Sequence, residues 1–280
     1  MGIFEAIVLG IVQGLTEFLP ISSSAHLRIV GELFPSLGDP GVTFTAVTQI
    51  GTETAVVLYF WRDIVRIISA WFRSLPVVSP PRRVPSANPD VRLGWIVIFG
   101  TIPIVVLGLL LEEKIDSVFR NLYITAAMLA IFAVLLGVAD RLGRRAIPLE
   151  QMSVRDGVVL GFAQSMALIP GVSRSGGTIT VGLALGYTRS AAARISFLLA
   201  IPAIMGSGFY RLLSDDGTGP QVGGIPTLVA TVTAFIVGFA VIVGFLRFVE
   251  TRSYAIFVVY RFVLAATVIA LLGTGLINAY

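Results

Sequence analysis

Apolar residues run along this chain in long stretches, and only two polar clusters interrupt stretches of otherwise membrane-grade sequence. Six runs, at 42–60, 93–111, 122–139, 190–210, 225–246 and 254–278, are each about 18–25 residues long and predict transmembrane helices. The remaining apolar segments are shorter or broken. Residues 3–19 end at Pro20 and are followed by 21–34, while 156–169 end at Pro170 and are followed by a glycine-rich piece to Gly186. A helix of about 14 residues rises only about 21 Å, short of the roughly 30 Å hydrocarbon core. Non-helical backbone at membrane depth must be buried in protein or line a cavity. The pattern therefore predicts an all-α polytopic membrane protein, a single domain over 1–280, with six transmembrane helices and two re-entrant helix pairs.

The two broken segments match each other. Gly10-x-x-Gln13 runs to Pro20, Ser22, Ser23, Ser24 and His26, and Gly161-x-x-Gln164 runs to Pro170, Ser173, Arg174 and Ser175. Aligning the glutamines superposes Ser22 on Ser173, Ser23 on Arg174 and Ser24 on Ser175. An ionised side chain costs roughly 2.5–3.5 kcal/mol at the centre of a membrane helix, so two matching polar clusters point to one shared site.

Arginines set the orientation. Arg62, Arg66, Arg73, Arg82, Arg83 and Arg92 are read as one cytoplasmic loop, and Arg141, Arg144, Arg145 and Arg155 as another. The turn from Arg247 to Arg261 falls on the same side by parity, whereas Asp215, Asp216 and the 112–121 turn fall outside, as do both termini. The first re-entrant pair then dips from the outer face and the second from the inner face, giving an inverted-topology repeat over about 3–139 and 156–278. Arginine placement fits eight or ten crossings equally well; helix length favours the re-entrant form. Residues 76–92, with five prolines, are read as a solvated linker.

Composition agrees and narrows the class. The chain is 56% hydrophobic and 13% charged, with a mean hydropathy of +0.91, which a soluble globule cannot accommodate. The net charge of +4 resides in the loop arginines, so a nucleic-acid partner is not expected. The N-terminus lacks a basic region and a small-residue cleavage site, and no segment is expected to be removed. With no cysteine and a single histidine, His26, thiol chemistry and multi-histidine metal centres are excluded.

Each proline ends a half-helix, and the serines after it suit the N-cap of the next, so each turn offers backbone N–H groups to an anion. Gly171, Gly176 and Gly177 permit close backbone approach. Arg174 presents a donor fork matched to phosphate oxygens, against the plainer reading of a snorkelling or ion-paired arginine. Gln13 and Glu17, spaced i, i+4 on one helix face, offer oxygen ligands for Mg²⁺ or Ca²⁺; the plainer reading has Glu17 reaching the headgroups. Ser23 and His26, three apart, lie on one side of a helix, which allows His26 to act as base toward a Ser23 nucleophile, although a lone histidine is more often a satisfied buried polar group.

The segments Gln13-Gly14-Leu15-Thr16-Glu17-Phe18-Leu19-Pro20-Ile21-Ser22-Ser23-Ser24-Ala25-His26 and Pro170-Gly171-Val172-Ser173-Arg174-Ser175-Gly176-Gly177-Thr178 resemble the two signatures of the undecaprenyl pyrophosphate phosphatase family, the bacitracin-resistance type. The similarity runs nearly end to end. It implies a plasma-membrane hydrolase that converts undecaprenyl pyrophosphate to the monophosphate, recycling the lipid carrier for cell-wall glycans, with a pocket open to the outer face and a divalent cation. The family's acidic pair falls on Gln13 and Glu17, its serine on Ser23, its histidine on His26, and its phosphate clamp on Ser173, Arg174 and Thr178. Ser22, Ser24, Ser175, Gly176 and Gly177 complete the expected phosphate cradle, and Gln164 is a further candidate. Three departures stand out: Gln13, where many relatives carry Glu; Ala25, where glycine is usual; and Glu53, in the middle of a span, as a possible replacement for the missing charge.

The nucleophile is left open among Ser23, His26 and water. A transporter of a polyprenyl phosphate is the rival reading, because inverted repeats with broken helices are also the architecture of alternating access. The serine and histidine favour hydrolysis, since anion transport needs neither. A phosphatidic-acid-type phosphatase would use two histidines. Gly10/Gly14, Gly157/Gly161 and Gly182/Gly186 predict close helix packing within the chain, with a homodimer interface as the alternative.

Overall fold

The computed structural model describes residues 1–33, 41–111, 121–214 and 222–279. Asp215, Asp216 and nearly all of the 112–121 turn lie outside the described residues. Eleven α-helices are described: α1 (Ile3–Thr16), α2 (Ser23–Leu33), α3 (Gly41–Tyr59), α4 (Trp61–Ser74), α5 (Pro89–Leu110), α6 (Leu122–Leu142), α7 (Val154–Ser165), α8 (Arg174–Ala184), α9 (Arg189–Ser214), α10 (Gly224–Thr251) and α11 (Ala255–Gly273). Among the described residues no strand forms.

Five of these helices, α5, α6, α9, α10 and α11, are long and apolar enough to cross a membrane. Their outward faces carry apolar residues, such as Ile102, Val105 and Leu109 on α5 and Val232 and Ile236 on α10. In water such stripes would be a large unburied apolar surface; in lipid they are the solvent-facing side. The chain is a multi-pass, all-helical membrane protein. The run at 42–60 forms α3, but Thr45, Thr48, Gln49, Thr52, Glu53 and Thr54 dilute its apolar character, so it is not one of the five.

Local chemistry sets several helix starts. Asn88 caps α5 by accepting from the N–H of Asp90, and Asn121 caps α6 by accepting from Tyr123. Ser153 caps α7 through the N–H of Asp156.

Two parts of the arginine-rich reading are corrected. Residues 61–74 are not loop but the amphipathic helix α4: arginines interspersed with apolar residues such as Ile64, Ile67, Ile68 and Trp71 at helical spacing suit an interface better than a linker. Its Asp63 pairs with Arg194 of α9 at 2.8 Å. Arg247 and Arg261 do not bound a turn either, since Arg247 lies within α10 and Arg261 within α11. The α10–α11 junction is tied down where the backbone N–H of Tyr254 donates to Asp140, which also accepts from Arg189 at 2.6 Å. Nearby, Tyr187 donates to Asp156 at 2.6 Å, and its burial, reinforced by that carboxylate, pushes the phenol pKa up.

The short helices are wedged between the long ones by glycines. α1 packs on α10, where a Cβ at Gly14 would lie 2.7 Å from the Val237 side chain and 2.9 Å from the Ala234 carbonyl. α7 packs on α5, where a Cβ at Gly161 would collide with the Gly100 carbonyl and one at Gly157 would lie 2.7 Å from Ile96. These glycine pairs are therefore spent on packing within the chain.

Candidate active site at the two polar turns

The polar turns are built alike. α2 and α8 are both 11 residues long, and their starts, Ser23 and Arg174, correspond in the glutamine alignment. The residue before each helix is a serine with positive φ, 72° at Ser22 and 69° at Ser173. Non-glycine residues are uncommon there, and each costs on the order of 1–3 kcal/mol, so the surrounding structure must enforce it. In each turn this serine meets the hydroxyl two residues on: Ser22 to Ser24 at 3.2 Å, Ser173 to Ser175 at 3.1 Å. Ser173 also caps α8, accepting from the N–H of Gly176 at 3.1 Å.

The turns interlock. The Gly171 N–H donates to the Ser22 hydroxyl at 3.3 Å, and the Ser175 hydroxyl donates to the Leu19 carbonyl at 3.0 Å. Gly171 has φ +95°, and a Cβ there would collide with the Thr125 carbonyl, so glycine is required on both counts. Behind the turns stands Arg261, fully buried on α11. Its guanidinium donates to the carbonyls of Pro20 at 3.0 Å, Gly171 at 2.7 Å and Val172 at 3.2 Å, and to Met128 and Leu129 of α6. One side chain thus holds the backbone of both turns.

In front of them the functional groups converge on Glu17, which is 5% exposed. Its Oε2 accepts from Gln13 Nε2 at 2.7 Å and from the Ser23 hydroxyl at 2.7 Å, with Gln49 Nε2 at 3.4 Å. Its Oε1 accepts from Arg174 Nη2 at 2.8 Å. The other terminal nitrogen, Arg174 Nη1, lies 3.9 Å from Glu53 Oε2, which α3 brings in from the side. A serine hydroxyl, a carboxylate and a guanidinium in direct contact are the elements of a nucleophile, its proton acceptor and a phosphate clamp.

Not every candidate joins this cluster. The expectation that His26 contacts Ser23 is not met: His26 Nδ1 lies 2.7 Å from the Ser22 carbonyl and Nε2 lies 2.7 Å from the Tyr260 hydroxyl. A carbonyl only accepts, so Nδ1 carries the proton, and in the neutral ring Nε2 accepts from Tyr260. The group touching Ser23 is Glu17. Thr178 is fully buried, donates to the Arg174 carbonyl at 2.8 Å and meets Ser196 of α9 at 2.5 Å, which ties α8 to the bundle. Gln164 is fully buried, and neither of its amide atoms has a hydrogen-bond partner among the described residues.

Three contributors went unrecognised in the sequence: Gln49, Tyr260 and Arg261. Arg261 did leave a signal, a single arginine inside the 254–278 apolar run, where insertion cost calls for a partner.

A hard cation fits the same donors. Gln13 Oε1 and both oxygens of Glu53 are buried without a hydrogen bond among the described residues, and amide and carboxylate oxygens are what Mg²⁺ and Ca²⁺ take. Among the described residues no group of three or more His, Cys, Asp or Glu forms, so any such site combines two carboxylates with amide oxygen.

Comparison with known proteins identifies the chain's relatives. The family model "Bacitracin resistance protein BacA" matches residues 6–267. Undecaprenyl-diphosphatase of Micrococcus luteus is 60% identical over 278 residues, covering 98% of this chain and 99% of that protein. Undecaprenyl-diphosphatase of Paenarthrobacter aurescens is 57% identical, with 100% of both chains covered. Undecaprenyl-diphosphatase 2 of Agrobacterium fabrum is 58% identical over 279 residues, covering 100% of this chain and 99% of that one. This chain belongs to the bacitracin resistance protein BacA family.

Proposed function

We propose that this chain is an undecaprenyl-diphosphatase: an integral membrane hydrolase that converts undecaprenyl pyrophosphate and water to undecaprenyl phosphate and phosphate, recycling the lipid carrier of cell-wall glycan synthesis and conferring bacitracin resistance. The observation that carries it is the Ser23 hydroxyl donating to Glu17 at 2.7 Å beside Arg174. Transport of an anion would need Arg174 and the helix N-termini but no activated hydroxyl. The names of the relatives point the same way.

The terminal phosphoryl group binds between the two turns, where Arg174 and the N–H groups opening α2 and α8 take up its charge. Ser23 attacks in line, its proton passing to Glu17, and undecaprenyl phosphate leaves. Water then hydrolyses the phosphoserine. His26 and Tyr260 hold the Ser22 carbonyl and with it the turn that presents Ser23. Glu17 and Gln13 would hold Mg²⁺ or Ca²⁺, which when bound neutralises pyrophosphate charge. An apolar cleft of about 490 Å³ borders the second turn, lined by Leu107, Leu111, Phe162, Met166, Leu168 and Ile169 among others, and suits an isoprenoid chain.

For the topology, we read α3 as a sixth crossing and α1–α2 and α7–α8 as re-entrant pairs. The 19 residues of α3 rise about 28 Å, and its polar Gln49 and Glu53 face the site rather than lipid. The matched turns and the exchanged packing, α1 on α10 and α7 on α5, support an inverted repeat over about 3–139 and 156–278 within one domain. The arginine-rich segments then face the cytoplasm, and the site and both termini face outward.

The test is phosphate release from undecaprenyl pyrophosphate by the purified protein in detergent with Mg²⁺ or Ca²⁺. Metal-dependent release that collapses in Ser23→Ala and Arg174→Ala is expected. A parent that binds the lipid through Arg174 but releases nothing would move the chain to the transporter reading.

A further inference from the structure

We infer that Glu53 is a cation ligand of the proposed active site, supplying with Glu17 the second negative charge that Gln13 does not. The inference rests on the hydrolase reading only for the placement of the cation. Gln13 is neutral and spends its amide N–H on Glu17, so the motif on α1 contributes one carboxylate. Glu53 arrives from α3 with no exposed surface, and neither of its oxygens has a hydrogen bond among the described residues. Its charged neighbour is Arg174, 3.9 Å away and already committed to Glu17 at 2.8 Å.

The charge balance then decides between readings. Ionised together, Glu17 and Glu53 would bring two negative charges to a buried site, and Arg174 returns one. A buried uncompensated carboxylate is expensive, and leaving it without hydrogen bonds adds to the cost. A structural ion pair built to satisfy Glu53 would bring it within hydrogen-bond distance of Arg174 and give its second oxygen a donor; the closest approach is 3.9 Å and neither oxygen has a hydrogen bond among the described residues. A hard cation explains both orphaned groups, because the Glu53 oxygens and Gln13 Oε1 are the donors left over around Glu17. It also frees Arg174: with a cation on the carboxylates, the guanidinium can turn its fork to the substrate phosphate.

The experiment is Mn²⁺ binding to the purified protein in detergent, followed by electron paramagnetic resonance without substrate. The parent, Glu53→Gln, Glu17→Gln and the exchanged Gln13→Glu/Glu53→Gln are compared, each first checked for an unchanged melting temperature and a monodisperse elution profile. We expect Glu53→Gln to weaken Mn²⁺ by at least about tenfold, and the exchanged variant to recover most of that loss because the charge returns next to Glu17. Equal affinity in the parent and Glu53→Gln, with loss in Glu17→Gln, would overturn the inference and leave the proposed cation site standing on α1 alone. Absence of Mn²⁺ binding in the parent would remove the cation from both. If Glu53→Gln fails to fold, Glu53→Asp and Glu53→Ala decide: weaker Mn²⁺ binding in Glu53→Ala than in Glu53→Asp supports the inference, and equal, parent-like binding in both contradicts it.

Discussion

Arg174 and Glu17, 157 positions apart in the chain, meet at 2.8 Å. Each opens or closes a half-helix of a different turn, so their contact is where the two halves of the protein become one site. The strength of the pair lies in the planar fork, which a lysine does not reproduce. Arg174→Lys is expected to lower kcat/KM for phosphate release by about 10²–10³-fold, and Arg174→Ala by more. Steady-state assays of both variants check this.

Arg261 is expected to matter for stability before activity. Replacing it with methionine leaves the carbonyls of Pro20, Gly171 and Val172 buried without its donors, at a cost of about 1–3 kcal/mol each where no other partner is found. Arg261→Met should melt markedly lower in detergent, while Arg261→Lys, with one donor centre, recovers part of the loss. Thermal unfolding of the pair measures it.

Tyr260→Phe removes one hydrogen bond to His26 and nothing else, since the Nδ1 contact to Ser22 remains. A single such bond contributes about 0.5–1.5 kcal/mol, so kcat/KM should fall roughly 2–10-fold. His26→Ala, which also takes the imidazole N–H from the Ser22 carbonyl and leaves it only the backbone N–H of residue 26, should fall further. Parallel kinetics of the two variants test the order.

Gly161→Val places a branched side chain where a Cβ already meets the Gly100 backbone. Forcing α7 from α5 should cost about 1–3 kcal/mol and displace the second turn. A lower melting temperature with reduced phosphate release is expected, whereas the same change at Gly244, which has open space around it, should be tolerated.

The site was legible in the sequence where polar residues had no business in an apolar run. Gln13, Glu17, Ser23 and Arg174 stand out on that ground, and the matched glutamines paired the two segments. What stayed hidden was positional. His26 and Ser23 share a helical spacing, but spacing cannot show that Tyr260, 234 positions away, would occupy the ring. Arg261 read as a loop arginine because it sits near a helix start, where positive charge is also the orientation signal. Residues 61–74 read as loop because their arginines outweigh their period, although the isoleucines, valine and aromatic residues between them make an amphipathic helix.

The most direct test of the account is the stereochemical course at phosphorus, using a pyrophosphate substrate made chiral at its terminal phosphoryl group. Attack by Ser23 followed by water is two in-line displacements, so the released phosphate should show overall retention. Inversion would mean a single displacement by water, and would contradict Ser23 as the nucleophile of this site.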